Sequence, residues 1–121
     1  MLSTFDRITD LTSAPRTPRY QLEVQPHSRH CTILRAEGDL DMTALEEFAD
    51  TLDELAHAIG QVVVDLTDVT FMYSAVVSVL ADIDHAHPGR LQVVAPTRPI
   101  RMLLDVLAPG IDVTERTAAA A

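Results

Sequence analysis

Ser74 is the first candidate for chemistry in this sequence. A serine becomes a nucleophile when a nearby base takes its proton, and five histidines and twelve aspartates could complete a Ser-His-Asp triad after folding. However, no G-x-S-x-G nucleophile elbow surrounds Ser74, whose neighbours are Tyr73 and Ala75. A small serine hydrolase is therefore kept only as an outside alternative.

Metal and cofactor chemistry is not indicated by the remaining polar clusters. Residues 82–87 hold two imidazoles and two carboxylates, but Asp82 and Asp84 would lie about 200° apart around a helix and cannot share a face. Histidines there suit the solvated carboxyl end of a helix. Cys31 is the only cysteine, and the four glycines match no phosphate-binding loop. We predict no metal and no cofactor.

The charge of the chain limits its partners. Its 121 residues include nine arginines, no lysine and eighteen acids, which gives a formal net charge of −9. This disfavours nucleic acid and anionic membrane surfaces as partners. Residues 1–19 lack the apolar core of a signal peptide, and no apolar run could span a bilayer, so we predict a cytoplasmic protein. Residues 36–89 hold twelve acids and no lysine or arginine, which predicts a partner surface lined by arginine or lysine.

Hydrophobic periodicity predicts an alternation of strands and helices. The strands are expected at residues 20–25, 31–37, 61–66, 91–95 and 111–114, and the helices at 43–59, 74–85 and 97–107. The first helix has an apolar stripe that consists of Leu45, Phe48, Leu52, Leu55 and Ile59. The second has apolar residues at seven of the nine positions 75–83, which predicts that it is largely buried.

Helix ends are predicted from capping residues. Thr43 and Glu46 fit a capping box at the start of the first helix, and Gly60 stands where a C-terminal cap belongs. Ser74 precedes the second helix, where a hydroxyl N-cap is favoured. Thr97 and Pro99 mark the start of the third helix.

The order β-β-α-β-α-β-α-β predicts one α/β domain, with a mostly parallel sheet, an N-terminal hairpin and helices packed on it. We place this domain at residues 19–115. Because Pro15 and Pro18 interrupt any regular helix, residues 1–18 are predicted to be a flexible leader, and residues 116–121 a disordered tail.

Two segments, taken in their order and spacing, resemble the STAS domain of bacterial anti-sigma-factor antagonists. Residues 38–41, of sequence GDLD, and the following Thr43 match the strand end and helix start of that family. Residues 62–74, VVVDLTDVTFMYS, resemble its apolar strand, its D-L-[ST]-x-V-x-F motif and the loop that leads to D-S-[SAT]-G. The resemblance covers roughly residues 20–114.

The resemblance implies a regulator of transcription in partner switching and stress response, and not an enzyme. Such a protein binds an anti-sigma factor, often a serine kinase, and thereby releases a sigma factor. The kinase inactivates the antagonist by phosphorylating a serine at the start of the second helix, and a phosphatase restores it; Ser74 falls on that position. The implied partner-binding residues are Gly38, Asp39, Leu40, Asp41, Tyr73, Ser74, Ala75 and Val76.

This sequence departs from the family pattern beside the serine. The aspartate before it is Tyr73 here, and the glycine two residues after it is Val76. One interpretation is an antagonist that is switched off by phosphorylation of Ser74. The alternative is a divergent STAS interaction module that binds its partner constitutively, without phosphoregulation. Dimerisation, through an edge strand or Cys31, stays open in either case.

Overall fold

The computed structural model describes residues 19–58 and 60–115. The predicted leader (residues 1–18), the predicted tail (residues 116–121) and Ile59 of the predicted apolar stripe lie outside the described residues. The elements are β1 (Tyr20–Ser28), β2 (Cys31–Leu40), α1 (Met42–Ala56), β3 (Gln61–Met72), α2 (Ser74–Ala86), β4 (Leu91–Val94), α3 (Arg98–Leu107) and β5 (Asp112–Thr114).

The five strands form one sheet in the order β1-β2-β3-β4-β5. β1 pairs with β2 antiparallel, and the other neighbouring strands are parallel. The predicted α/β class, the N-terminal hairpin and the element order are confirmed. The second strand is internal and β5 is a short edge strand, as the sequence indicates.

The main core lies between the sheet and the helices. Strands β2, β3, β4 and β5 are parallel and lie side by side in chain order. Each connection between them is a right-handed crossover that moves the chain the same way across the sheet, so all the connecting helices lie on the same face. The core agrees, since buried residues of α1, α2 and α3 (Phe48, Leu80 and Leu104) join Leu34 and Val64 of the sheet. None of the described helices is long and apolar enough to cross a membrane.

β3 is longer than predicted and irregular. It continues through Met72, and two register shifts interrupt its pairing with β2. Nine steps along β2, from Cys31 to Leu40, oppose eleven steps along β3, from Gln61 to Met72. β3 therefore contains two extra residues, which is the signature of β-bulges. Likewise β2 does not end at Glu37 but continues through Leu40.

The predicted capping box of α1 is wrong. The N-cap is Asp41, whose carboxylate accepts the backbone N–H of Thr43 at 2.9 Å. Thr43 is thus the second helical residue. Glu46 is the fifth, whereas a capping box requires the glutamate at the third helical position. Aspartate and threonine both suit an N-cap, and the helix begins after the first of them.

The predicted cap at the other end of α1 is also wrong. α1 ends with His57 as C-cap, three residues before Gly60. Arg90 instead fixes the turn that follows α1, because its Nε donates to the Gly60 carbonyl at 2.6 Å and its Nη2 to the Ala58 carbonyl. Gly60 has φ +108°, and a Cβ there would lie 2.6 Å from the His30 carbonyl oxygen, so it serves a close approach between chain segments.

α2 differs from its prediction in two ways. Its N-cap is Tyr73, which caps without a side-chain hydrogen bond, and Ser74 is the first helical residue. Only Val76, Val77 and Leu80 are fully buried, so the helix is amphipathic and not largely buried. The third helix begins after Thr97 with a proline in its first turn, as predicted.

Gly38 allows the first strand to reach the sheet. Its φ is +84°, and a Cβ there would lie 2.2 Å from the Arg19 carbonyl oxygen. That carbonyl accepts the backbone N–H of Asp39 at 2.8 Å, which fixes the start of β1 against the end of β2. Glycine is therefore required at this position both by conformation and by space.

We predict that Gly38→Ala destabilises the fold by at least about 3 kcal/mol, because it adds a backbone clash to the cost of a left-handed alanine. Gly89→Ala is the matched control, since Gly89 has a similar φ of +79° but open space around the added Cβ. It should cost about 1–2 kcal/mol. Urea denaturation of the whole chain measures both, and equal losses would contradict the role given to the Arg19 contact.

Candidate functional site

The ends of β2 and β3 bring the two family-like segments together. Leu40 lies opposite Met72 in the parallel pair, and the Tyr73 N–H donates to the Leu40 carbonyl at 2.8 Å. Parallel neighbours end at the same edge of a sheet, so residues 38–41 and residues 70–76 form one continuous region. We call this region the carboxyl edge.

Asp39 is held by the neighbouring strand. Its Oδ1 accepts a hydrogen bond from the Thr70 hydroxyl at 2.6 Å, and its side chain is half-buried. Asp39 therefore helps to hold the two strand ends together, while part of its carboxylate still faces solvent.

Asp41 orders the start of α1. Its Oδ1 accepts the Thr43 amide at 2.9 Å and the Thr43 hydroxyl at 2.5 Å, and its Oδ2 lies 3.6 Å from Nη1 of Arg19. The Thr43 hydroxyl is the main cause that holds the pKa of Asp41 below its ordinary 3.8, and the Thr43 amide and Arg19 act in the same direction. An ionised Asp41 is thus part of the helix start.

Ser74 is exposed at the first position of α2. Its hydroxyl makes no hydrogen bond within the described residues, while its carbonyl accepts the Ser78 hydroxyl at 3.4 Å. The N–H groups at positions 74 and 75 belong to the first turn, where a helix has no internal acceptor for them. The exposed hydroxyl therefore lies beside amide donors at a helix N-terminus, a place that tolerates a negative charge.

The other predicted site residues differ in how far their side chains are exposed to solvent. The side chains of Leu40 and Val76 are fully buried, so neither presents a side-chain surface to a partner. Gly38, Tyr73 and Ala75 are half-buried. Val76 lies inside the regular helix, and no described non-glycine residue has a positive φ, so valine replaces the family's glycine without strain.

Phe71, at the carboxyl edge, and Met42, which directly follows residues 38–41, were not among the predicted site residues, yet both are exposed apolar side chains, at 51% and 68%. Phe71 lies opposite Asp39 and three residues before Ser74. The signal that could have found it is the motif position D-L-[ST]-x-V-x-F, although simple alternation after buried Val69 predicts that this side chain points inward. An exposed aromatic residue is typical of a protein interface.

The described residues do not form the arrangement that a serine hydrolase or a metal site would need. His85 is eleven residues along α2 from Ser74, roughly 16 Å away along the helix axis. His27 and His30 lie at the hairpin between β1 and β2, while His57 and His87 contact each other, with ring centroids 5.0 Å apart. Among the described residues no group of three or more histidines, cysteines or acids could hold a metal ion.

Comparisons with known proteins point in one direction. A family model described as "Mlab, STAS domain" matches residues 24–110. No curated protein matches the sequence. The solved structure of an anti-sigma factor antagonist from Mycobacterium paratuberculosis is similar with a TM-score of 0.68 and 16% identity, over 86% of this chain and 93% of that chain.

Two structures of SpoIIAA are similar as well. The unphosphorylated form of this anti-sigma factor antagonist gives a TM-score of 0.64 and 20% identity, over 80% of this chain and 90% of that one. The phosphorylated form, described as a Bacillus cell fate determinant, gives 0.62 and 18%, over 79% and 93%. At these identities the likeness shows a shared fold.

We predict that the carboxylate of Asp41 contributes stability in a pH-dependent manner, and Asp41→Asn isolates it because asparagine also caps helices. The pKa of Asp41 is lower in the folded than in the unfolded chain, so the contribution is present above about pH 4 and is lost as the pH falls through the folded-state pKa. The free energy difference between wild type and Asp41→Asn, from urea denaturation, should shrink towards acid.

The Thr43→Val background provides the control. It removes the hydroxyl that donates to Asp41, so most of the pH dependence of the Asp41→Asn difference should disappear with it. A difference that grows as the pH falls would contradict this account.

Proposed function

The chain belongs to the STAS domain family, and from this premise we propose that it acts as an anti-sigma-factor antagonist, which binds an anti-sigma factor and thereby releases a sigma factor. Its partner surface is the carboxyl edge. The observation that carries the proposal is the convergence there of exposed Ser74, exposed Phe71 and half-buried Asp39. We place its action in the cytoplasm, as a binding protein and not an enzyme.

The apolar part of this surface supplies affinity. Phe71 and Met42 are large side chains that remain more than half exposed, although each could bury substantial area against a partner. Neighbouring polar groups are already fixed by the Asp39–Thr70 bond and by the Asp41 cap. An apolar anchor surrounded by ordered polar groups is the arrangement found at interface hot spots.

The charge of the surroundings selects the partner. Exposed Glu46, Glu47, Asp50 and Glu54 continue along α1 from the carboxyl edge, and Asp68 is exposed on β3. No lysine or arginine occurs between residues 36 and 89 to offset them. A partner surface lined by arginine or lysine would be attracted at long range and correctly oriented.

Phosphorylation of Ser74 would switch this interaction off. A phosphate adds about −1.5 to −2 charges at the first turn of α2, where the helix dipole and free amides accept it. The fold therefore survives. In the complex, the same group would have to lose its hydration within a packed interface, which opposes binding. A serine kinase, which is itself the anti-sigma factor, and a phosphatase would set the phosphorylation state.

A second candidate function is constitutive binding by a divergent STAS module. It is favoured by the replacement of the family's aspartate with Tyr73, whose ring packs partly against the core. This change removes a charge beside the phosphorylation position. In this alternative the carboxyl edge still binds the partner, but no kinase recognises Ser74.

We predict that Ser74→Glu weakens binding to the anti-sigma factor by at least tenfold, about 1.4 kcal/mol, while Ser74→Ala changes it by less than about threefold. Ser28→Glu is the matched control, because Ser28 is exposed at the end of β1, opposite Cys31 at the far end of β2 from the carboxyl edge, and gains the same charge. Calorimetric titration with a candidate anti-sigma factor measures the affinities.

Incubation with that kinase and ATP, followed by mass spectrometry, should place phosphate on Ser74. Binding without phosphate on Ser74, and with equal affinities for all variants, would favour the constitutive module. Absence of binding by every variant to every anti-sigma factor of the host would overturn the proposal. Labelling of Ser74 by a serine-reactive phosphonate would instead favour the hydrolase alternative.

We predict that Phe71→Ala lowers the same affinity by at least about tenfold, because truncation of an aromatic anchor removes most of its buried area in the complex. Met102→Ala is the control, since Met102 is about equally exposed, at 54%, but lies on α3 and outside residues 38–41 and 70–76. It should leave the affinity unchanged. Similar losses in the two variants would mean that the carboxyl edge is not the partner surface.

A further inference from the structure

The third helix carries more apolar surface than the core uses. At about 100° per residue, the apolar side chains of α3 occupy an arc of about 200°. In order around the helix they are Met102, Val106, Pro99, Leu103, Leu107, Ile100 and Leu104. Only Ile100 and Leu104 are fully buried. Because a stripe of about 100° is enough for a helix that packs on a core with one face, part of this apolar arc is not needed by the fold.

The exposed part of the arc follows one side of α3. Met102 and Val106 are one turn apart, and they are 54% and 75% exposed. Pro99 is also exposed, one turn before Met102. We call Pro99, Met102 and Val106 the α3 strip. Contiguous exposed apolar residues, in contrast to single ones, mark an interaction surface.

Two charged residues stand beside the α3 strip in a self-complementary arrangement. Arg98 and Asp105 lie on the same flank of the strip, within about 20° of each other around the helix and about 10 Å apart along its axis. Both are exposed, and neither belongs to an ion pair within the described part of the chain. Arg101, by contrast, is already paired with Glu115. Opposite charges at the two ends of one flank can pair with the same flank of an antiparallel copy.

We propose that two copies of this chain associate through the α3 strip, with the two helices antiparallel about a two-fold axis beside Met102. Pro99 of each subunit then packs against the partner subunit's Val106. Arg98 and Asp105 are about equally far from the axis, so Arg98 faces the partner subunit's Asp105. A two-fold interface repeats each contact, and the reverse ion pair forms at the other end. This route to a dimer uses neither an edge strand nor the cysteine.

The distribution of charge favours a second copy on this side of the domain. Residues 36–89 hold twelve acids and no lysine or arginine, so two copies repel each other there. Residues 90–115 hold three arginines and three acids, and their formal charge is zero. A basic partner is attracted to the acidic stretch instead. The neutral side, with its apolar strip and its reciprocal charges, therefore fits a second copy of the chain.

The size of the contact sets the strength of the dimer. One face of a ten-residue helix offers less than the roughly 800 Å² per partner that a standard interface buries. We therefore expect a reversible dimer with a dissociation constant on the order of 100 μM. Such a dimer forms only at high protein concentration.

Sedimentation equilibrium of the whole chain, from about 10 μM to about 1 mM, tests the proposal. The wild type should show a monomer–dimer equilibrium, and a chain that stays monomeric throughout would overturn the proposal. Val106→Asp should weaken dimerisation at least about tenfold, because it brings unpaired carboxylates into the contact. Val24→Asp is the matched control, since Val24 is also an exposed valine, at 44%, but lies on β1 at the other edge of the sheet. Equal losses in the two variants would contradict the assigned surface.

Charge reversal tests the antiparallel arrangement. Arg98→Asp and Asp105→Arg should each weaken dimerisation about fivefold, because each places like charges opposite one another. Neither change harms α3 itself, since an acid suits the start of a helix and a base its last turn. The double variant Arg98→Asp/Asp105→Arg restores both pairs and should recover most of the wild-type affinity.

Failure of the double variant to recover would overturn the antiparallel pairing and the proposal with it. Far-ultraviolet circular dichroism identifies any variant that has unfolded. These measurements need no anti-sigma factor, so their outcome is independent of the proposed function.

Discussion

The parallel pairing of β2 with β3 is the interaction on which the candidate site depends. It runs from Cys31 opposite Gln61 to Leu40 opposite Met72, and the Tyr73 N–H extends it by one further bond to the Leu40 carbonyl. Because the two strands end together, α1 and α2 both begin at this edge. The start of α1 is then fixed by Asp41 and the start of α2 by the last bond of the ladder. A change in this pairing would separate the two segments, even if each kept its local structure.

Two bulges in β3 decide which of its side chains are exposed at the carboxyl edge. The side chains of Val62, Val64 and Leu66 point into the core at the two-residue spacing of a regular strand. The next buried residues, Val69 and Met72, each follow after three residues. The Asp65 carboxylate stabilises the first irregularity by accepting the Thr67 amide at 2.9 Å and the Thr67 hydroxyl at 2.5 Å. The second follows where Gly38 meets Asp39 on the neighbouring strand. Without it, Phe71 would point into the core and Met72 would be exposed. The aromatic anchor therefore results from a register shift.

The sequence predicted the order of elements, because period-two and period-3.6 hydrophobic patterns are local. The family resemblance implied that residues 38–41 and 73–76 share one partner surface, and the common edge at which the parallel strands β2 and β3 end explains why they meet. The sequence could not choose between Asp41 and Thr43 as a cap, as both residue types suit that place. The Arg90 contacts with the turn that follows α1 join positions about thirty residues apart, and the inward direction of Leu40 and Val76 depends on packing. Much of the family motif serves the fold: Gly38 makes room for Arg19, Leu40 fills the core, and Asp41 caps α1. These residues identify the domain, whereas Phe71 and Ser74, which are exposed, are the ones that we propose a partner recognises.

A phosphate on Ser74 would act on a basic partner in two opposite ways, and their sizes decide the outcome. At long range it adds about two charges to a chain that already carries −9, and exposed charge pairs screened by salt contribute at most about 1 kcal/mol. At contact it must give up hydration beside Phe71, and the penalty for an incompletely paired buried ion is several kcal/mol. Residues 36–89 hold no lysine or arginine to compensate it, and Arg19 at the same edge is paired with Asp41. The local cost would exceed the long-range gain, so under the proposed function phosphorylation would oppose binding even to a positively charged partner.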